Sequence, residues 1–109
     1  MATKILHVKL EGKSQLHEPI VKLEGILINI WSIDGGLTWE NKNVILDING
    51  NLEIYMSCKA MTGTGWSFYV KEKNGATKYE NEGRTGEALE SRDGARISNF
   101  SERIASVHY

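Results

Sequence analysis

Apolar residues recur at every second position in one stretch of this 109-residue chain after another, and that period is the strongest constraint on what it can fold into. Leu6, Val8 and Leu10 share one side of an extended backbone, with Ile5, His7 and Lys9 on the other. Leu52, Ile54, Met56 and Cys58 alternate with Glu53, Tyr55, Ser57 and Lys59, and Trp66, Phe68 and Val70 repeat the pattern. A period of two is that of a half-buried β-strand. No segment combines a 3.6-residue period with capping residues, so no long helix is expected. The expected fold is all-β: a single domain over residues 1–109, built as a compact antiparallel β-sandwich with Greek-key-like topology as an option.

The alternation is punctuated by turn signals. Residues 4–10 read as an edge strand and 12–19 as a connection, with Pro19 at the start of the next strand, where a missing N–H is tolerated. Residues 20–31, the most apolar part of the chain, read as a central strand with a bend or bulge at Glu24-Gly25. Asn49-Gly50 and Asn74-Gly75 favour positive backbone torsions, so each is expected to close a hairpin. Residues 61–65, Met-Thr-Gly-Thr-Gly, form a turn; they lack the spacing and the Gly-Lys-Ser/Thr ending of a phosphate loop. Residues 80–96 read as a long charged surface connection with a short turn or strand inside, and residues 95–109 as a closing strand.

Composition narrows the function. Thirteen Lys and Arg against fourteen Asp and Glu give a net charge of −1, too little positive field for nucleic acid to be a partner. The only cysteine, Cys58, excludes an intramolecular disulfide and reads as an inert core thiol. The N-terminus has no secretory pattern, and no apolar run approaches the roughly 20 residues of a membrane helix, so a cytoplasmic protein without a membrane span is expected.

Asp47, Asn49 and Asn51 resemble calcium donors only in their alternation. They lack the spacing and flanking helices of an EF-hand and belong to the turn. His7, His17 and His108 are dispersed; His7 and His108 meet only if the first and last strands pair. No metal site and no cofactor is expected. Asn99-Phe100-Ser101 is a formal glycosylation acceptor read here as ordinary strand or turn.

Ser32-Ile33-Asp34-Gly35-Gly36-Leu37-Thr38-Trp39 resembles the Asp-box of sialidases and other β-rich proteins. The resemblance covers eight residues and implies a structural hairpin. Asp34 is expected to accept hydrogen bonds from its own turn, Gly36 to accommodate the backbone, and Trp39 to pack on the hairpin, with Ser32 and Thr38 completing the motif. A multi-bladed propeller does not fit in this length. Phe68–Gly75 and Arg103–Val107 resemble the aromatic hairpin and closing strand of a crystallin-type Greek-key unit. Ser101-Glu102 replaces the paired Asn/Asp of its calcium-binding form.

Among the aromatics, Trp66 beside Thr62 and Thr64 is the candidate sugar platform, with Asn41 adding an amide. Rings stack on sugar C–H faces while short polar groups bind hydroxyls, and the same Trp66 ring serves equally as core. The leading functional expectation is a non-enzymatic, lectin-like carbohydrate-binding module, with a homodimer multiplying weak sites. The alternative is a structural or toxin-associated protein-interaction module, and after it a small hydrolase or nuclease using His7 or His108 with a carboxylate such as Glu53 or Glu72.

Overall fold

The computed structural model describes residues 2–86 and 100–109, which form nine strands and no helix. In chain order these are β1 (Ala2–Gly12), β2 (His17–Leu23), β3 (Ile26–Leu27), β4 (Trp31–Ser32), β5 (Thr38–Ile48), β6 (Asn51–Lys59), β7 (Gly65–Glu72), β8 (Thr77–Arg84) and β9 (Phe100–His108). They make two antiparallel sheets, one ordered β4-β5-β1-β7-β8 and the other β3-β2-β6-β9. The all-β sandwich expected from the two-residue period is the fold observed. No described helix is long and apolar enough to cross a membrane.

The core lies where the apolar faces meet. The first sheet sends in Leu6, Val8 and Leu10, Val44, Leu46 and Ile48, and Trp66, Phe68 and Val70. The second answers with Val21, Leu23, Leu52, Ile54, Met56 and Cys58, and all of these are buried. Each large apolar side chain so placed contributes roughly 1.5–3 kcal/mol relative to exposure.

Several expectations from the sequence are corrected. β1 is not an edge strand: it lies at the centre of the five-stranded sheet, paired with β5 on one side and β7 on the other. Alternation reports one wet face and is silent about neighbours. Residues 20–31 are not one central strand. β2 ends at Leu23, where Glu24 (φ 55°) and Gly25 (φ 74°) reverse the chain into β3, pairing Leu23 with Ile26. Two consecutive positive torsions are those of a tight hairpin turn. The chain then crosses to the other sheet as β4, leaving Ile26, Leu27 and Trp31 exposed.

Asn49-Gly50 does not close a hairpin either. β5 and β6 belong to different sheets, so this turn is an arch over the end of the sandwich. Gly50 has φ 77°, and its carbonyl accepts a hydrogen bond from the Tyr109 amide at 2.6 Å. Finally, residues 80–84 are not loop but the second half of β8; of the rest of that expected connection, residues 87–99 lie outside the described ones. So does Asn99 of the glycosylation pattern.

Asn74-Gly75 joins β7 to β8 in antiparallel register, Val70 opposite Tyr79, as the sequence reading expects. Pro19 does not open its strand: β2 already begins at His17, and Pro19 lies at the irregularity in the β2–β6 ladder between His17 and Ile20, where its missing N–H breaks no ladder bond.

Cys58 is fully buried, and burial pushes its thiol up to about 11. At pH 8 the native protein is therefore expected to react with iodoacetamide on the order of a hundredfold more slowly than the urea-unfolded chain, since only the thiolate attacks. Mass spectrometry of timed alkylation checks this, and equal rates in the two states would place Cys58 at the surface.

Candidate functional site

The site is built on the outer face of the five-stranded sheet. Because Leu6, Val8 and Leu10 point inward, Ile5, His7, Lys9 and Glu11 of β1 point out, and the same parity turns Ser67, Tyr69 and Lys71 of β7 outward. Register then sets one row of side chains across all five strands. Trp31 lies opposite Glu40, Glu40 opposite Lys9, Lys9 opposite Tyr69, and Tyr69 opposite Glu80. The next row is Thr38, Glu11, Ser67 and Glu82.

The β1–β5 ladder is irregular between Leu6 and Val8, where Lys42 and Asn43 of β5 bulge opposite His7. Bulges of this kind re-aim side chains. His7 Nε2 lies 2.9 Å from Glu40 Oε2, and this hydrogen bond is the main cause holding the Glu40 carboxyl below the usual glutamate value. The His7 ring also meets Tyr69 edge to face at 5.3 Å, and the Lys71 ammonium sits 5.2 Å from the Tyr69 ring centre. Burial pushes the Tyr69 hydroxyl upward.

The hairpin between β4 and β5 closes one end of this face. Ser32 Oγ accepts from the Gly36 amide at 2.8 Å and donates to Asp34 Oδ1 at 2.9 Å. Asp34 Oδ1 accepts from the Thr38 amide at 2.8 Å, the main cause of its carboxyl lying below the usual aspartate value. Trp39 Nε1 donates to the Gly36 carbonyl at 3.1 Å. The hairpin is tied to the β1–β2 connection by the Leu16 amide on the Gly36 carbonyl and the Gly12 amide on the Leu37 carbonyl.

Two depressions result. A groove of about 370 Å³ runs beside Trp31, lined by Ile33, Asp34, Thr38, Glu40, Asn41, Lys42 and Asn43. A larger one, about 930 Å³, crosses β1, β7 and β8. Its polar walls are Glu11, Lys13, Ser67, Glu82 and Arg84, and Gly12, Gly63, Gly65 and Gly83 line it as well. Asp34 and Thr38 line both, so the two are adjacent.

The sequence-derived candidates are dispersed. Trp66 borders the larger groove but is only 3% exposed, so the sugar-stacking role expected of it is corrected to a core role. The parity that aligns it with Phe68 and Val70 turns its side chain inward, and the Arg103 guanidinium sits 4.9 Å from its ring centre. Thr64 is buried: its hydroxyl donates to the Met61 carbonyl at 2.6 Å and lies 3.0 Å from the Ser14 hydroxyl, bonds that hold the turn. Thr62 is exposed on the same turn, and neither threonine lines a groove. Asn41 does line the groove beside Trp31, although its amide already donates to the Asn29 carbonyl and accepts from the Asn43 amide, both at 2.9 Å.

His7 and His108 are not brought together, since β1 and β9 lie in different sheets. Among the described residues no three His, Cys, Asp or Glu side chains converge as metal ligands.

Trp31, Glu40, Glu11, Ser67, Tyr69 and Glu82 are the site residues that sequence reasoning missed. The period of two already put Tyr69 and Ser67 opposite the core side chains Phe68 and Val70, but reading residues 20–31 as one strand hid Trp31. Comparison with protein-family models, curated proteins and solved structures finds no match to this chain.

Proposed function

We propose that the protein is a non-enzymatic carbohydrate-binding module whose ligand lies against the outer face of the five-stranded sheet. The observation that carries this reading is Trp31: 60% exposed, paired in register with Glu40, and bordering a groove in which the apolar Ile33 is joined by amide, carboxylate, hydroxyl and ammonium groups. An exposed indole offers a flat apolar surface to sugar C–H groups and an N–H at its edge. Carboxylates and amides around it accept from and donate to hydroxyls, which fixes orientation. Asn41 keeps the role expected of it, and Trp31 takes the place of Trp66.

A glycan array probed with the purified protein and with Trp31→Ala tests this. The wild type is expected to bind a defined glycan class saturably, and Trp31→Ala to lose at least tenfold in affinity. Its urea midpoint should change little, because an exposed substitution alters stability by only about 0.5 kcal/mol. Selective binding unaffected by Trp31→Ala would remove this face as the site.

A second reading, a protein-interaction module, is favoured by the exposed apolar side chains Ile26, Leu27, Trp31 and Ile33, which lie within eight residues of one another along the β3–β4 segment. Exposed apolar side chains of this size are what a protein partner covers. An array without selective binding by a folded protein favours this reading over the first.

A further inference from the structure

Resting on the carbohydrate reading, we infer that the ligand is a linear, uncharged glycan several residues long, lying across the strands from Trp31 on β4 to Glu82 on β8. The two grooves lie side by side, with Asp34 and Thr38 lining both, and together they make up the trough of this proposal. It crosses every strand of the sheet in the order β4, β5, β1, β7, β8. Four strand spacings correspond to about 19 Å, far longer than one sugar ring.

The trough is built for a chain and not for a knob. Its volume beyond the hairpin, about 930 Å³, spans β1, β7 and β8. Its middle is kept open by Gly65, which shares the outward parity of Ser67 and opposes Arg84. Hydrogen-bonding side chains recur at each strand crossed, Thr38 on β5, Glu11 on β1, Ser67 on β7 and Glu82 on β8. A repeating ligand meets such a repeating wall once per strand.

Charge decides against an acidic polymer. Glu40, Asp34, Glu11 and Glu82 face the trough together with Lys42, Lys13 and Arg84, so cations do not dominate any length of it. A polyanion would set its charges against four carboxylates, a like-charge contact that costs affinity. An uncharged chain uses the same carboxylates as acceptors for its hydroxyls.

The test is calorimetric titration with neutral gluco-, xylo-, manno- and N-acetylchito-oligosaccharides of two to six residues, with heparin as the anionic comparison. For the series that binds, affinity is expected to rise at least tenfold between the disaccharide and the hexasaccharide, and heparin to bind no more tightly than the disaccharide. Ser67→Arg, which fills the middle of the trough, and Glu82→Gln, at its far end, should each weaken the hexasaccharide at least fivefold and leave the disaccharide unchanged. Equal affinities for disaccharide and hexasaccharide, with binding still dependent on Trp31, would overturn the extended ligand while keeping the carbohydrate reading. Preferential heparin binding would overturn the neutral ligand, and no binding in any series would remove both.

Discussion

Trp66→Ala is expected to lose about 3–5 kcal/mol of stability, the range for deleting a buried large aromatic side chain. Trp66 is almost wholly enclosed and adjoins Phe68 on the inward face of β7, with Arg103 of the opposite sheet against its ring. Truncation removes the apolar contacts of the indole and leaves the Arg103 guanidinium facing a cavity. Against a total stability of about 5–15 kcal/mol for a domain of this kind, the loss is a large fraction. Urea denaturation followed by fluorescence should show a lowered midpoint. A loss under about 1 kcal/mol would mean that the ring is not part of the core. Because the variant is close to unfolding, it cannot report on ligand binding, whereas Trp31→Ala can.

Gly36→Ala is expected to cost about 1–3 kcal/mol, with Gly35→Ala at the lower end of the same range. Both glycines have positive torsions, φ 94° for Gly36 and 74° for Gly35, and both substitutions carry backbone strain. They differ in surroundings. A Cβ on Gly35 meets nothing within 4 Å, but one on Gly36 lies 2.8 Å from Gln15 Cγ and 3.2 Å from the Leu16 carbonyl oxygen. The side chain of Gln15 can swing away; the Leu16 carbonyl cannot without disturbing the bond from the Leu16 amide to Gly36. Paired urea titrations of the two variants check the order. A Gly35→Ala variant as unstable as Gly36→Ala would show that torsional strain alone sets the cost and that the tie to the β1–β2 connection adds nothing.

The architecture was legible from the period of two, and most of the inward-facing residues follow from it directly. Trp66 illustrates how much the pattern already contained: it shares parity with Phe68 and Val70, which places it on the core side whatever its appeal as a platform. The arch at Asn49-Gly50 was also legible, through parity. A two-residue hairpin there would put Ile48 opposite Asn51 and Leu46 opposite Glu53, apolar against polar, so β5 and β6 cannot share a sheet with their apolar faces aligned. At Asn74-Gly75 the matching comparison sets Val70 opposite Tyr79, and a hairpin forms. The dipeptide is permissive in both places; the flanking pattern decides.

Other features depended on contacts distant in sequence. Whether β1 is central or at an edge is set by the arrival of β5 and β7, whose paired residues lie 27 to 66 positions later in the chain. The row from Trp31 to Glu80 exists only through four separate strand registers. The break after Leu23 rests on a positive torsion at Glu24, a residue type that rarely advertises one. The hydrogen bonds of residues 32–39, in contrast, join Ser32, Asp34, Gly36, Thr38 and Trp39 over four residues or fewer, and local chemistry suffices to name the participants.

The arch between β5 and β6 also shapes how this protein is made. β6 leaves the ribosome before β9, the strand that covers one of its edges along nine paired residues from Asn51 with His108 to Lys59 with Phe100. Until β9 emerges, Leu52, Ile54 and Met56 sit on a strand with an open ladder of amides and carbonyls, a template for pairing with other chains. Tyr109, whose amide latches the arch at Gly50, arrives later still. The four-stranded sheet is thus completed only after nearly the whole described chain has been synthesised, and until then the open edge of β6 is the part of the nascent chain most exposed to wrong pairing.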